Sequence, residues 1–199
     1  MKLLRPLCLY GLLAVSCIAM VIITTLLWVR SAMQEHTEIA YRVKDPNGIE
    51  VLEPVKIGGI DQWLHIRGRN RDNPVLLFLH GGPGFPSIGW FDAIQRPWED
   101  YFTVVQWDQR QTGKSYYPVA EIGETMTLER MIKDTEEVIQ HLRKRLNKDK
   151  IVVLGHSWGS YLGMHVVKRH PQWIHAYIGM GQIADSSARV TYERLLMHA

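Results

Sequence analysis

Gly155-His156-Ser157-Trp158-Gly159 sets a serine between two glycines, just after a short apolar run and at the head of a segment with helical spacing. A serine hydroxyl is presented to a substrate where a sharp strand-to-helix turn lifts it clear of the sheet. Flanking glycines remove the side chains that would collide in such a turn. The N-terminus of the following helix directs backbone N–H groups at negative charge forming nearby. The pattern is that of a nucleophile elbow, and Ser157 is the candidate catalytic residue.

A second constellation is independent of the first. His80-Gly81-Gly82-Pro83-Gly84 follows the wholly apolar run Val75–Leu79. A glycine-rich turn in that place lets backbone N–H groups approach a substrate oxyanion. The expected donors are the amides of Trp158 and Gly82, with Gly81 less favoured. Thr112-Gly113-Lys114-Ser115 invites comparison with a phosphate loop, but that pattern needs a glycine five residues before Gly113, where Asp108 stands.

With these residues the chain resembles the proline iminopeptidase group of α/β-hydrolase serine peptidases. That group carries a His-Gly-Gly-Pro-Gly loop, a Trp-Asp-Gln-Arg-Gly loop and a Gly-x-Ser-Trp-Gly elbow. The counterparts here are His80 to Gly84, Trp107-Asp108-Gln109-Arg110-Gln111 and Gly155 to Gly159, and Gly179-Met180-Gly181-Gln182 is similar to the group's Gly-x-Gly-Gln. The likeness runs over residues 50–199. Gln111 departs from it, because the group has glycine there; if the backbone needs a positive φ, a glutamine costs about 1 kcal/mol. The resemblance implies an active-site loop containing Asp108 and Arg110, which read as a structural ion-pair network rather than as catalysts. It also implies a base and an acid in the chain order Ser, Asp or Glu, His.

After Ser157 the acids are Asp185 and Glu193, and the histidines are His165, His170, His175 and His198. The first three histidines read as ordinary helix or surface residues. Asp185 with His198 keeps the order, but His198 falls at the end of an expected helix at 187–197 rather than after a last strand. The group's triad acid and histidine follow its seventh and eighth strands, and only six strands are legible here. The expectation is thus a truncated or partial α/β-hydrolase domain, with the remaining triad members downstream and the specificity-bearing cap absent. Alone it is expected to be nearly inactive, and its sixth strand to expose an apolar edge.

The elements that position these residues follow from periodicity. Runs at 51–57 and 60–66 around Gly58-Gly59 read as a hairpin; 75–79, 101–107, 151–154 and 174–178 read as buried strands. Leu128, Met131, Ile132, Val138, Ile139, Leu142 and Leu146 recur at helical spacing, with Thr127 to cap the start and Arg143-Lys144-Arg145 suited to the end. A second helix is expected from Trp158 to Arg169, stopped by Pro171. Strands alternating with helices make the fold class α/β with a mostly parallel sheet.

Residues 7–29 form an uncharged stretch of 23 residues. As a helix it reaches roughly 35 Å, enough to cross a hydrocarbon core. Ala14-Val15-Ser16 before Cys17 would suit signal cleavage, but a cut there leaves a strongly apolar new terminus, which favours an uncleaved anchor. Lys2 and Arg5 precede the run and Arg30 alone follows closely, so the N-terminus is expected in the cytoplasm and the globular part outside it. The expected division is a transmembrane signal-anchor at 1–30, a tether at 31–50 and the incomplete hydrolase domain at 51–199.

Composition narrows the function classes. Lys2, Arg5 and Arg30 account for the whole net charge of +3, leaving 20 basic and 20 acidic residues in the rest. No basic patch speaks for nucleic acid. Cys8 and Cys17 both lie in the apolar segment, so neither a disulfide scaffold nor a cysteine-ligated metal is implied. There is no paired-histidine zinc spacing and no dinucleotide fingerprint, so no cofactor is expected. The function read from the residues is a membrane-anchored serine hydrolase acting on a small peptide or acyl substrate, resembling proline iminopeptidase. An esterase or lipase on the same scaffold, or a non-catalytic anchored binding module, are the alternatives.

Overall fold

The computed structural model describes residues 4–118 and 123–184, and the chain divides into two units between Arg42 and Val43. The first unit is a single helix, α1, spanning Leu4–Tyr41. It holds one stretch, Leu13–Thr37, long and apolar enough to cross a membrane. Polar side chains within it turn back on the helix: the Thr24 hydroxyl donates to Met20 O at 3.0 Å and the Thr25 hydroxyl to Val21 O at 2.8 Å. The helix outlasts its apolar stretch. Residues 31–41, read from sequence as part of a tether, are helical because they contain no glycine or proline and include good helix formers such as Ala32, Met33, Gln34 and Glu35.

The second unit is built on a six-stranded sheet in the order β1-β2-β4-β3-β5-β6. β1 (Ile49–Ile57) and β2 (Ile60–Gly68) form the expected hairpin, and β2 pairs antiparallel with β4 (Thr103–Asp108). β3 (Val75–Leu79), β5 (Ile151–His156) and β6 (Ile174–Met180) extend the sheet in parallel. Before β1, Gly48 N donates to Asp45 O at 2.8 Å, closing the turn at Asp45-Pro46-Asn47-Gly48. β4 begins at Thr103 rather than at 101, because Arg96–Asp100 is a 3-10 turn whose end holds Tyr101 N on Trp98 O.

Two layers cover the sheet. A short helix, α2 (Asp92–Gln95), belongs to one layer; α3 (Leu128–Arg145) and α4 (Trp158–Arg169) form the other. The α3/α4 face holds the larger core, with Leu64, Ile66, Leu77, Val105, Trp107 and Val153 packed under Ile132, Ile139 and Leu162. Across the sheet, Leu76, Phe78, Val152 and Leu154 pack against Phe91, Trp98 and Phe102. α3 starts where Thr127 accepts from Arg130 N and ends on Arg143, Lys144 and Arg145, as its composition required. At the β6 edge Ile178 and Met180 remain 48% and 46% exposed, the apolar edge anticipated for the sixth strand. Asp185, Glu193, His198 and the helix expected at 187–197 lie outside the described residues.

Candidate active site

Ser157 stands between the end of β5 and the first turn of α4, with φ 50° and ψ −115°. A positive φ is unfavourable for a residue with a Cβ, so the surrounding packing must impose it. The two motif glycines show how. A Cβ on Gly155 would lie 2.5 Å from Gly159 O, and one on Gly159 would overlap the Leu79 carbonyl oxygen. Only glycines let the start of α4 press against the ends of β5 and β3. The elbow is tied further by Ser157 N, which donates to Met180 O at 2.8 Å, and by the Ser160 hydroxyl, which donates to Ser157 O at 2.6 Å. The half-buried Ser157 side chain has no hydrogen-bond partner among the described residues.

The glycine loop lies against this turn. A Cβ built on Gly81 would be 3.4 Å from the Ser157 Cβ, so the loop backbone passes directly beside the serine. Gly82 has φ 122°, and a Cβ there would meet Gly84 N at 2.5 Å. Among the described residues, neither the Gly82 nor the Trp158 backbone N–H donates to a protein acceptor. Pro83 and Gly84 complete the loop's exposed bend.

His80, which opens the loop, is fully buried. Its Nε2 accepts from Gln109 N at 3.1 Å, so Nδ1 carries the proton and donates to Gly81 O at 2.9 Å. Burial holds its pKa below the ordinary imidazole value, against the opposing pull of that bond to Gly81. His80 is therefore a neutral anchor for the loop, with both ring nitrogens engaged.

The loop after β4 is where the structure adds most. Gln109 is also fully buried. Beyond its backbone bond to His80, its side-chain Nε2 donates to His80 O at 3.2 Å and its Oε1 accepts from Trp158 Nε1 at 3.2 Å. Sequence reasoning quoted Gln109 only as a motif letter. A buried amide between two aligned motifs was the available signal, but its partners required the fold.

Of the two residues read as an ion-pair network, Arg110 enters one through Asp134, whereas Asp108 is not paired with Arg110. Asp108 accepts from backbone amides instead, Lys114 N at 2.9 Å and Ile88 N at 3.3 Å, and so shapes the loops at either side. Arg110 is bound to Asp134 of α3. Its guanidinium also donates to Gly58 O at 2.9 Å, so it anchors the base of the loop and is committed away from the serine. Gln111 has φ 65°, the left-handed backbone anticipated from the glycine of the resembling group. Its Oε1 accepts from Tyr117 N at 3.0 Å, which offsets part of the strain.

The described histidines after the elbow sit elsewhere. His165 packs edge-on to Tyr161, His170 stacks on Trp173 and meets Glu136 at 3.2 Å, and His175 is exposed on β6. None bonds the Ser157 hydroxyl among the described residues.

A strand–elbow–helix with a glycine loop beside the serine, on a sheet of this order, matches a known family: residues 74–193 fit the profile of the alpha/beta hydrolase fold. The chain belongs to the α/β hydrolase family. This α/β hydrolase is 41% identical over 143 residues to the probable aminopeptidase YbaC of Bacillus subtilis (strain 168), covering 72% of this chain and 45% of that protein. It is 30% identical over 142 residues to a proline iminopeptidase of Lactobacillus helveticus (strain DPC 4571), covering 70% of this chain and 46% of that one. Among solved structures, a proline iminopeptidase-related protein from Thermus thermophilus aligns with TM-score 0.55 and 25% identity, over 66% of this chain and 44% of that one. An epoxide hydrolase from Vigna radiata aligns with TM-score 0.54 and 25% identity, over 65% and 38%. The hydrolase chain thus spans about half the length of the curated relatives it matches.

Proposed function

We propose that this chain carries the nucleophile half of a membrane-anchored serine hydrolase that releases N-terminal residues, preferentially proline, from peptides. The observation that carries the reading is the strained Ser157, held at φ 50° beside the glycine loop with Gly81 in contact range of its Cβ. Backbone strain of this kind persists only where the surroundings enforce it, and it concentrates at reactive sites. The named relatives, an aminopeptidase and proline iminopeptidases, supply the substrate class.

In the proposed reaction the Ser157 Oγ attacks the scissile carbonyl carbon, forming a C–O bond as the carbonyl π pair moves onto oxygen. The amides of Gly82 and Trp158, which have no protein acceptor among the described residues, hold that oxyanion. A base takes the hydroxyl proton and returns it to the leaving amine as the C–N bond breaks; water then hydrolyses the acyl-enzyme. The base and its orienting acid come from sequence outside the described residues. The helix at residues 4–41 anchors the chain, with Lys2 and Arg5 on the cytoplasmic side and the hydrolase unit on the other.

The test is covalent labelling. A fluorophosphonate probe should modify the gene product at Ser157, Ser157→Ala should abolish the label, and prolyl-arylamide turnover should fall with it by several orders of magnitude. Labelling that survives Ser157→Ala refutes the assignment.

A further inference from the structure

We infer that Gln109 is a positioning residue that sets the separation between the two oxyanion donors. The inference rests on the serine-hydrolase reading above and assigns a role that the reaction itself does not require of a glutamine.

The geometry is a clamp. One donor amide belongs to Gly82, two residues beyond His80; the other belongs to Trp158 itself. Gln109 grips both neighbours. Its backbone N–H holds the His80 ring at 3.1 Å, its side-chain amide nitrogen holds the His80 carbonyl at 3.2 Å, and its amide oxygen holds the Trp158 indole at 3.2 Å. The residue is fully buried, so water does not compete for these bonds. The clamp has its own footing: the Thr112 hydroxyl donates to Gln109 O at 2.6 Å, and Thr112 N donates to the same oxygen at 2.9 Å.

Without the clamp, the loop and the elbow meet through the glycines at 81 and 159, which have no side chains to keep them in register. Oxyanion stabilisation depends on donors placed within a few tenths of an ångström before the charge forms, and small misplacements cost rate more than binding. The amide group is also specific in kind. It must donate on one side and accept on the other, which neither an apolar isostere nor a carboxylate can do. A protonated carboxylic acid can.

The full-length gene product in detergent, carrying Gln109→Met and Gln109→Glu, tests this. Gln109→Met should lower both kcat on a prolyl-arylamide and the phosphonylation rate of Ser157 by roughly 10–100-fold, with KM little changed. The Trp158 indole 1H–15N resonance, assigned with Trp158→Phe, should shift as its acceptor is lost. In Gln109→Glu, the ratio of variant to wild-type phosphonylation rate should rise as the pH falls and the carboxyl takes up its proton, a recovery that a merely loosened fold does not produce. A wild-type rate in Gln109→Met, or a ratio in Gln109→Glu that stays flat with pH, overturns the clamp; the second readout holds even if the methionine variant fails to fold. Wild-type protein that is not phosphonylated at Ser157 overturns the serine-hydrolase reading and this inference with it, and is distinct from labelling that survives Gln109→Met.

Discussion

Arg110 Nε lies 2.7 Å from Asp134 Oδ2 and its Nη2 lies 3.1 Å from Oδ1, with both side chains excluded from solvent. The pair bolts the loop after β4 to α3, and Arg130 Nε at 2.8 Å and Gln62 Nε2 at 2.9 Å complete the carboxylate's partners. Removing Asp134 leaves the Arg110 guanidinium buried without a counter-charge, whereas removing Arg110 leaves Asp134 paired with Arg130. Asp134→Leu alone should lower stability by about 3–5 kcal/mol, and Arg110→Met alone by less. The double variant should regain a large part of that loss, read from urea midpoints at unchanged slope. Additive losses would show that the two residues do not act as a pair.

Ser157 itself should be a stability liability. Its hydroxyl makes no intramolecular bond among the described residues, and its backbone sits where only glycine is at ease. Ser157→Gly should therefore raise the unfolding free energy by about 1 kcal/mol while removing the proposed nucleophile. A lower Tm in this variant would mean that the elbow is not strained.

Gln111 presents the same conformation with a different balance. Gln111→Gly relieves a φ of 65° but removes the acceptor for Tyr117 N. The two effects are each about 1 kcal/mol and opposite in sign, so the change should stay within about 0.5 kcal/mol. A loss of about 2 kcal/mol or more would show that the bond to Tyr117, and not the backbone, governs the loop.

Burial holds the imidazoles of His80 and His141 below the ordinary value of 6.5, with Arg145 adding to the effect at His141. The unfolded chain then binds protons that the folded chain refuses. The stability tied to these groups is fully present above pH about 6.5 and is lost as pH falls toward their folded-state values. Denaturation midpoints should drop between pH 7 and 5, and replacing both histidines by glutamine should flatten that slope. A slope unchanged in the double variant would place the acid sensitivity in other groups.

The orientation proposed for α1 predicts that protease added outside intact cells digests the hydrolase unit and leaves an epitope at the N-terminus protected. Exchanging Lys2 and Arg5 for neutral residues should weaken that preference, because the charge difference across the apolar stretch is small. Protection of both ends would contradict the assigned topology.

Much of this site was legible because its motifs encode steric requirements. Glycines at 155 and 159 are dictated by how closely the elbow must approach β3 and β5, and the glycine of the resembling group marked Gln111 as a place where a left-handed backbone could be required, which it adopts. Alternating and continuous apolar runs located all six strands. What was missed shares one cause, the choice of partner for a buried polar side chain. Arg110 was read as part of an ion-pair network with no partner named, and the fold supplies Asp134. Gln109 carried no sign of its grip on His80 and Trp158. The helix over residues 31–41 was not read from the sequence, although local propensity there is adequate.

Local rules written along the chain determined by themselves the α/β class, the serine on its turn, the glycine loop and the apolar N-terminal helix. Periodicity, turn chemistry and close-approach glycines act over a few residues and leave their mark in residue types. Only the tertiary structure decided which buried polar groups meet, because a hydrogen bond between residues 29, 49 or 24 positions apart depends on how strands and helices stack and not on any property of the intervening sequence.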